Sequence, residues 1–452
     1  MNFTDELLAI RFGYGLPLPA GTPRSPIAIS VGLRGPDDMA KAWPMPTLAK
    51  YAPMVSKLQA LRKKAKIGAN VKAEEDAAKA AVVELSSLGH RTGFARAIDT
   101  SQPFRERLIT FFTDHFTANA RGGIANSYLP FALVEDAIRP NIGGSFADMV
   151  TQVTLHPAML IYLDQQVSIG PNSFIGMKWE KGLNENLARE LMELHTLGVD
   201  GGYSQDDVRQ LAELLTGMTV NGDFKMVFDP RRVEPGAEAV MGKNYGSDKL
   251  NAINKVLRDL ALHPKTAAHI ARKLAVHFLD DTPDPAVIKA MRLAFVQSKG
   301  DIPSVVLALL SHPSAQAEGA PKIRQPFDFI VSSCRALGVQ GAQIQTLKAG
   351  DFKRGFLHQM EMMGQKLKAS PGPDGWPEEA EVWVTPPRLA ARIDWAMSMP
   401  QRLIKEMPEP VALAMSALAS HATPTLLTAV ARAESRRDGV GIVLSSPEFN
   451  RR

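Results

Sequence analysis

The chain has 452 residues, 45% of them hydrophobic and 22% charged, an ordinary globular composition with enough chain for a large core. The formal net charge is only +5, and Lys and Arg are dispersed without an aromatic-rich basic cluster, which argues against a nucleic-acid surface. A single cysteine excludes an internal disulfide framework and any multi-cysteine zinc or iron–sulfur site.

No run of about 20 apolar residues occurs, so no membrane span is expected. The N-terminus, Met1-Asn2-Phe3-Thr4-Asp5-Glu6, has no basic segment, sustained apolar stretch or small-residue cleavage site. The expectation is a cytoplasmic protein, or an exported one if the true start lies upstream. Length alone suggests about three units of roughly 150 residues. No long linker separates such units, so the fold expected is mainly α, a single multi-helix body.

Residues 1–50 are rich in Pro and Gly and read as an irregular arm; residues 51–452 form the body. Residues 50–100 read as helices, and the Ala/Lys/Glu mixture from Lys57 to Glu84 suggests a solvated helical hairpin. Pro103 opens a helix running to about Phe116. Helical patterns recur at 129–141, 144–154 and 183–197. Ser204 with Asp207 resembles a capping box for a helix running to about Thr216. Residues 218–245 break the pattern: Met218-Thr219-Val220, Phe224 to Phe228 and Ala239-Val240-Met241 read as short strands or extended loop, punctuated by Gly222-Asp223 and Pro235-Gly236. Helices resume over 249–312. Cys334 sits in an apolar helix ending at Gly338 and reads as a buried structural thiol. Residues 365–387 hold five prolines with Trp376 and Trp383, a long loop of the kind that often borders a site.

The segment Asn184 to Gly198 carries the most chemistry. At about 100° per residue, Leu187, Leu191 and Leu194 share one stripe, and Asn186, Glu190 and Glu193 share another close to the apolar boundary. Glu185 and Arg189 lie beyond that polar stripe. Carboxylates beside a leucine seam lose hydration and need partners. Arginines such as Arg105, Arg107 or Arg189 would make the stripe an internal strut. A site would instead use Glu190 or Glu193 as general base or metal ligand, with Asn186 and Arg189 orienting a polar or anionic substrate. Carboxylates plus a carboxamide favour a hard divalent metal such as Mg²⁺, Ca²⁺ or Mn²⁺.

Familiar metal signatures are missing. There is no His-Glu-x-x-His, and Glu190 and Glu193 lack a histidine three residues on. His195 lies across the helix from the acidic stripe and joins it only if the helix unwinds. His115 ends an aromatic helix and is either a core histidine or a base. His156 and His263, each before a proline, read as helix-boundary residues. Asp200 to Asp207 lacks a calcium-loop pattern. No phosphate loop or Gly-x-Ser-x-Gly elbow occurs.

The central run, followed by Val199-Asp200-Gly201-Gly202-Tyr203-Ser204-Gln205-Asp206-Asp207-Val208 and Leu215-Thr216-Gly217, resembles the signature of the bacterial "domain of unknown function 1800" family. Further landmarks agree along nearly the whole chain. Early ones are Arg11-Phe12-Gly13-Tyr14-Gly15, Phe104-Arg105-Glu106-Arg107-Leu108 and Phe112-Thr113-Asp114-His115-Phe116. His156-Pro157-Ala158-Met159-Leu160 and Tyr162-Leu163-Asp164 follow. Later ones are Lys273-Leu274, His277-Phe278, Lys322-Ile323-Arg324-Gln325-Pro326-Phe327, Asp374-Gly375-Trp376-Pro377 and Ser446-Pro447-Glu448-Phe449.

The resemblance implies no established activity. It keeps His115 among the candidates and implies a partner, because relatives are often encoded beside alkaline-phosphatase-like proteins. One departure is Val233, where the family tends to carry histidine; another is Glu238 in place of lysine. If that histidine acts in relatives, this chain lacks its contribution. Two functions follow as expectations. One is a hydrolase-type enzyme with Glu190, Glu193 and His115 as catalytic groups and Asn186, Arg189 and Trp376 on the substrate. The other is a non-enzymatic helical partner of an alkaline-phosphatase-like protein.

Overall fold

Two apolar cores organise the chain, seen in a computed structural model that describes residues 4–317 and 322–452. One core gathers side chains from Leu8 to Ala315, including Phe104, Phe112, Leu191 and Leu274. The other gathers Tyr14 and Phe94 with residues from Phe327 to Phe449. A single helix, Lys72–Asp99, belongs to both: Ala78 and Val82 enter the first core, Phe94, Ala97 and Ile98 the second. The structure is 64% helical and 4% strand, so the fold is mainly α. No helix among the described residues is long and apolar enough to cross a membrane.

Local signals account for most helix boundaries. Leu48–Lys66 and Lys72–Asp99 pack as a hairpin across a turn at Gly68, whose φ is +88°. Pro103 occupies the first turn of Pro103–His115, where its missing N–H costs nothing. Ser204 and Asp207 form the expected capping box on Gln205–Leu214. In the stretch read as an irregular arm, three short helices form: Asp5–Ile10, Pro26–Leu33 and Asp38–Ala42. Thr4, Ser25 and Asp37 cap them by accepting hydrogen bonds from Leu7, Ala28 and Ala40. Residues 1–3 lie outside the described residues.

Residues 218–245 form two small antiparallel pairs. Met218–Val220 pairs with Met226–Phe228, and Ala239–Val240 with Lys243–Asn244. The central segment starts as an α-helix at Asn186 but widens after Glu190 into a π-turn over Leu191–His195. The Thr196 hydroxyl donates to the Leu191 carbonyl at 2.6 Å, satisfying a group that the wider turn frees. This turn buries His195 to 1% exposure and changes the register that a regular helix would give.

The carbonyl end of Pro26–Leu33 is closed from outside. The Arg105 guanidinium donates to the carbonyls of Gly32, Leu33 and Gly35 at 3.1, 2.9 and 2.7 Å, completing groups left open at a helix terminus. Gly143 packs against the same end, and a Cβ there would lie 2.1 Å from the Leu33 oxygen. Backbone cannot give way as a side-chain tip can. Gly143→Ala should therefore destabilise the fold by about 2–3 kcal/mol. Gly144→Ala, whose Cβ would meet only the Asn141 oxygen at 3.6 Å, is the control. Equal denaturant midpoints for the two variants would contradict this packing.

Candidate active site

Where the two cores meet, they leave a cavity of about 180 Å³. The shared helix lends His90, Gly93 and Arg96, and Pro103–His115 lends Glu106, Arg107, Thr110 and Asp114. The second core lends Phe327 and Asp328, and the Pro/Trp loop lends Lys368, Trp376 and Glu378. An apolar cavity of similar size takes a molecule of roughly benzene size, so this space suits a small substrate.

Most charges on the wall are already matched. Arg139 makes forked contacts to Glu106 at 2.7 and 2.9 Å and to Asp37 at 2.9 Å on each arm. Arg96 holds Glu135 at 2.5 and 3.0 Å and also donates to the Trp43 carbonyl. A longer chain of polar contacts joins Lys322, Glu378, His277, Arg107 and Asp328. Glu378 Oε1 lies 2.5 Å from His277 Nδ1, and Arg107 Nη2 lies 3.2 Å from His277 Nε2. Arginine can only donate, so Nε2 accepts and the imidazole proton sits on Nδ1, facing the carboxylate. Arg107 reaches Asp328 at 3.5 Å. Burial alone would raise the Glu378 pKa, but His277 and Lys322 hold it down to about 2.

Two wall residues have no such match. Asp114 is pushed up to about 7 by burial, against the opposing pull of the Trp376 backbone N–H. That N–H lies 3.1 and 3.0 Å from the two carboxyl oxygens. Gly375 permits the contact: its φ is +90°, and a Cβ would fall 2.5 Å from Asp114 Oδ2. Lys368 is pushed down to about 8 by burial, with Glu135 and Asp114 opposing. Its Nζ lies 5.5 Å from the centre of the Phe131 ring. One carboxyl raised and one amine lowered toward neutrality, facing one cavity, is the pattern of an acid–base site.

Of the residues singled out from the sequence, Trp376 lines this cavity. His115, the neighbour of Asp114 on the helix, points the other way. It sits among His195, His269 and Phe116, and its Nε2 lies 3.2 Å from the His195 carbonyl. Burial first, then the nearby Lys273, His195 and His269, holds it well below the usual imidazole range, hence neutral. Asn186 is exposed, and Glu190 and Glu193 are half-buried. None of these three lines the cavity.

No arginine closes on Glu190 or Glu193. Arg105 and Arg107 bond elsewhere, and Arg189 pairs with Glu185 and Gln205. Burial, followed by the neighbouring Glu193, raises the Glu190 pKa, and Asp374 of the Pro/Trp loop adds to the repulsion. Among the described residues the stripe is thus neither an arginine-held strut nor part of the cavity wall; Asp374, which repels Glu190, directly precedes the residues that hold Asp114. Among the described residues, no three His, Cys, Asp or Glu side chains are arranged to hold a metal ion.

Sequence reasoning missed Asp114, Lys368, His277 and Glu378. For two of them the signal was present, since the landmark segments containing Asp114 and His277 meet here with those of Tyr14, Glu106, Gln325 and Trp376. The chain is thus a helical protein built around a largely apolar cavity whose wall carries charged side chains, most of them matched. The family described as "Protein of unknown function (DUF1800)" matches residues 35–451, and the chain belongs to it. No curated protein and no solved structure matches the chain.

Both sites predict measurable pH effects. A raised folded-state pKa means that native Asp114 keeps its proton after the unfolded chain has lost it. Native stability then falls as pH rises from about 4 to about 7. Asn at this position still accepts the Trp376 N–H but cannot ionise. The melting temperature of Asp114→Asn should gain on that of the parent through this window and hold a constant lead above it; a gap independent of pH would refute the assignment. At the outer stripe, the ionised form of Glu190 is the disfavoured one. Glu190→Gln should raise the melting temperature by about 1 °C at pH 7.5 and leave it unchanged at pH 4, the size expected for a half-exposed charge. A loss of stability at pH 7.5 would point to a partner not seen here.

Proposed function

We propose that this chain is an enzyme of hydrolytic type whose active centre is the cavity between the two cores. The observation that carries this reading is Asp114. It faces the cavity, is held by one backbone donor, and is poised to gain or lose a proton near neutral pH. A general base works best when its pKa lies near the operating pH. In this reading Asp114 takes a proton from the attacking water and returns it to the leaving group. Trp376 packs on the substrate, and the Glu378–His277–Arg107 chain keeps that wall rigid. Glu190 and Glu193 act on the Pro/Trp loop through Asp374, with Asn186 and Arg189 beside them, and His115 secures the far side of the Asp114 helix.

The test is turnover of a panel of small esters, amides and phosphoesters by the parent and by Asp114→Asn. A substrate of the parent should show a rate that rises through pH 7, and the variant should lose about 10²–10⁴-fold in kcat. An unchanged kcat in the variant would end this reading.

A second reading is favoured by one surface feature. The short helix Phe174–Trp179 exposes Phe174, Met177 and Trp179, at 64%, 68% and 62%, and exposed apolar groups gathered in this way suit a protein interface. The occupant would be the alkaline-phosphatase-like partner. Co-purification of the two that is lost in a Phe174→Ser, Trp179→Ser double variant would support it.

A further inference from the structure

Lys368 differs from the other cations of the cavity wall. Arg96, Arg107 and Arg139 each meet a carboxylate. Among the described residues Lys368 makes no ion pair and no hydrogen bond; its ammonium faces the Phe131 ring, and Glu135 and Asp114 act on it only from beyond ion-pair distance. The protein maintains this arrangement with one unusual backbone conformation and one glycine. Lys368 itself has a φ of +57°, a conformation that side chains other than those of Gly, Asn and Asp seldom adopt and that recurs at functional sites. Gly89 leaves room for Phe131, since a Cβ there would come within 2.6 to 2.9 Å of the ring. His90 packs edge-on against the same ring at 4.9 Å. The loop carrying Lys368 is pinned nearby, where Asn119 donates to the Ser370 carbonyl at 3.0 Å and accepts from its N–H at 3.2 Å.

A lysine meant to hold an anion would gain from a row of cooperating arginine forks, and the forks here are consumed by the protein's own carboxylates. A lysine that is desolvated, unpaired and aimed into a small cavity is instead set up as a nucleophilic amine.

We propose that Lys368 Nζ is a covalent binding site for a small aldehyde or ketone in the same cavity. The amine nitrogen attacks the carbonyl carbon and forms a C–N bond, giving a carbinolamine. The C–O bond then breaks, the oxygen leaves as water carrying the two protons lost by the nitrogen, and a C=N bond remains. Nothing is oxidised or reduced. Asp114 ferries protons in both directions: it protonates the departing hydroxyl and activates the water that later hydrolyses the C=N bond. The inference rests on the acid–base reading of Asp114 and adds to the cavity a covalent ligand of the aldehyde or ketone class.

The experiment is reductive trapping. The purified full-length protein is incubated with dihydroxyacetone and cyanoborohydride, and labelled lysines are mapped by peptide mass. Lys368 should be labelled at least tenfold faster than exposed lysines such as Lys178 and Lys265, to one label per chain. Its rate should rise to a plateau above about pH 8. Lys368→Arg should remove this label only, and Asp114→Asn should slow it by tenfold or more while the exposed lysines react as before.

The comparison among lysines within the parent protein needs no variant, so a misfolded variant cannot hide the outcome. Labelling of Lys368 no faster than that of Lys178 would overturn the carbonyl proposal. If Asp114→Asn still abolished turnover of a hydrolytic substrate in that case, the acid–base reading would stand alone. Fast labelling of Lys368 unaffected by Asp114→Asn would keep the covalent site and remove Asp114 from it.

Discussion

The interaction on which this architecture depends is the chain of polar contacts running between the two cores, from Lys322 through Glu378, His277 and Arg107 to Asp328. Arg107 comes from a helix of the first core and Asp328 from a helix of the second, at 3.5 Å. Both are buried, Arg107 to 1% exposure. Charges taken out of water cost several kcal/mol each unless they are matched, so these groups fix how the two halves meet. An apolar seam of equal area could slide or close. A seam in which Arg107 must find both His277 Nε2 and Asp328 has one register, and in that register the wall cannot collapse onto itself.

That constraint also explains why a cavity with charged side chains on its wall survives where the cores meet. Arg139 and Arg96, with Glu106, Glu135 and Asp37, continue the matched wall around the opening. The groups left over are the informative ones. Protein interiors rarely keep an ionisable side chain without a partner, and here two face the same space. The cost of leaving them unmatched appears directly as a carboxyl moved up to about 7 and an amine moved down to about 8. The glycines at 375 and 89 belong to the same economy of space, each giving up a side chain so that one of the two groups can be seated.

Much of the fold was legible because its signals are local. Pro103, the Ser204–Asp207 cap and the break at 218–245 act within a few residues of themselves, and each led to the right element. The arm was harder: its Pro and Gly content obscured the three capped helices, since Thr4, Ser25 and Asp37 are cap signals only when the following turn is known to be helical. The site was hardest. In Asp114-His115, adjacent residues on a helix point about 100° apart, so one residue faces the cavity and the other the core, and sequence alone gives no sign of which. The Asn186, Glu190, Glu193 stripe was placed on a regular period, but the chain widens at Leu191; the group beside it is Tyr203 from the next turn, and the charge that reaches Glu190 from far away in sequence, Asp374, repels it. Lys368 stands in no motif; only the cavity identifies it.

The two unmatched groups are better understood together than singly. Burial raises the Asp114 pKa and lowers that of Lys368, so both shifts make it easier to move a proton from the ammonium to the carboxylate. For the ordinary side chains the same transfer costs more, because their pKa values lie about six units apart. The gap between the charged pair and the neutral pair is therefore narrower within the cavity, and a small ligand that hydrogen-bonds to either group shifts the balance. Such narrowing serves no purpose in a structural ion pair, where the charged state must win decisively. It is what a site needs if it must both give and take a proton during one cycle.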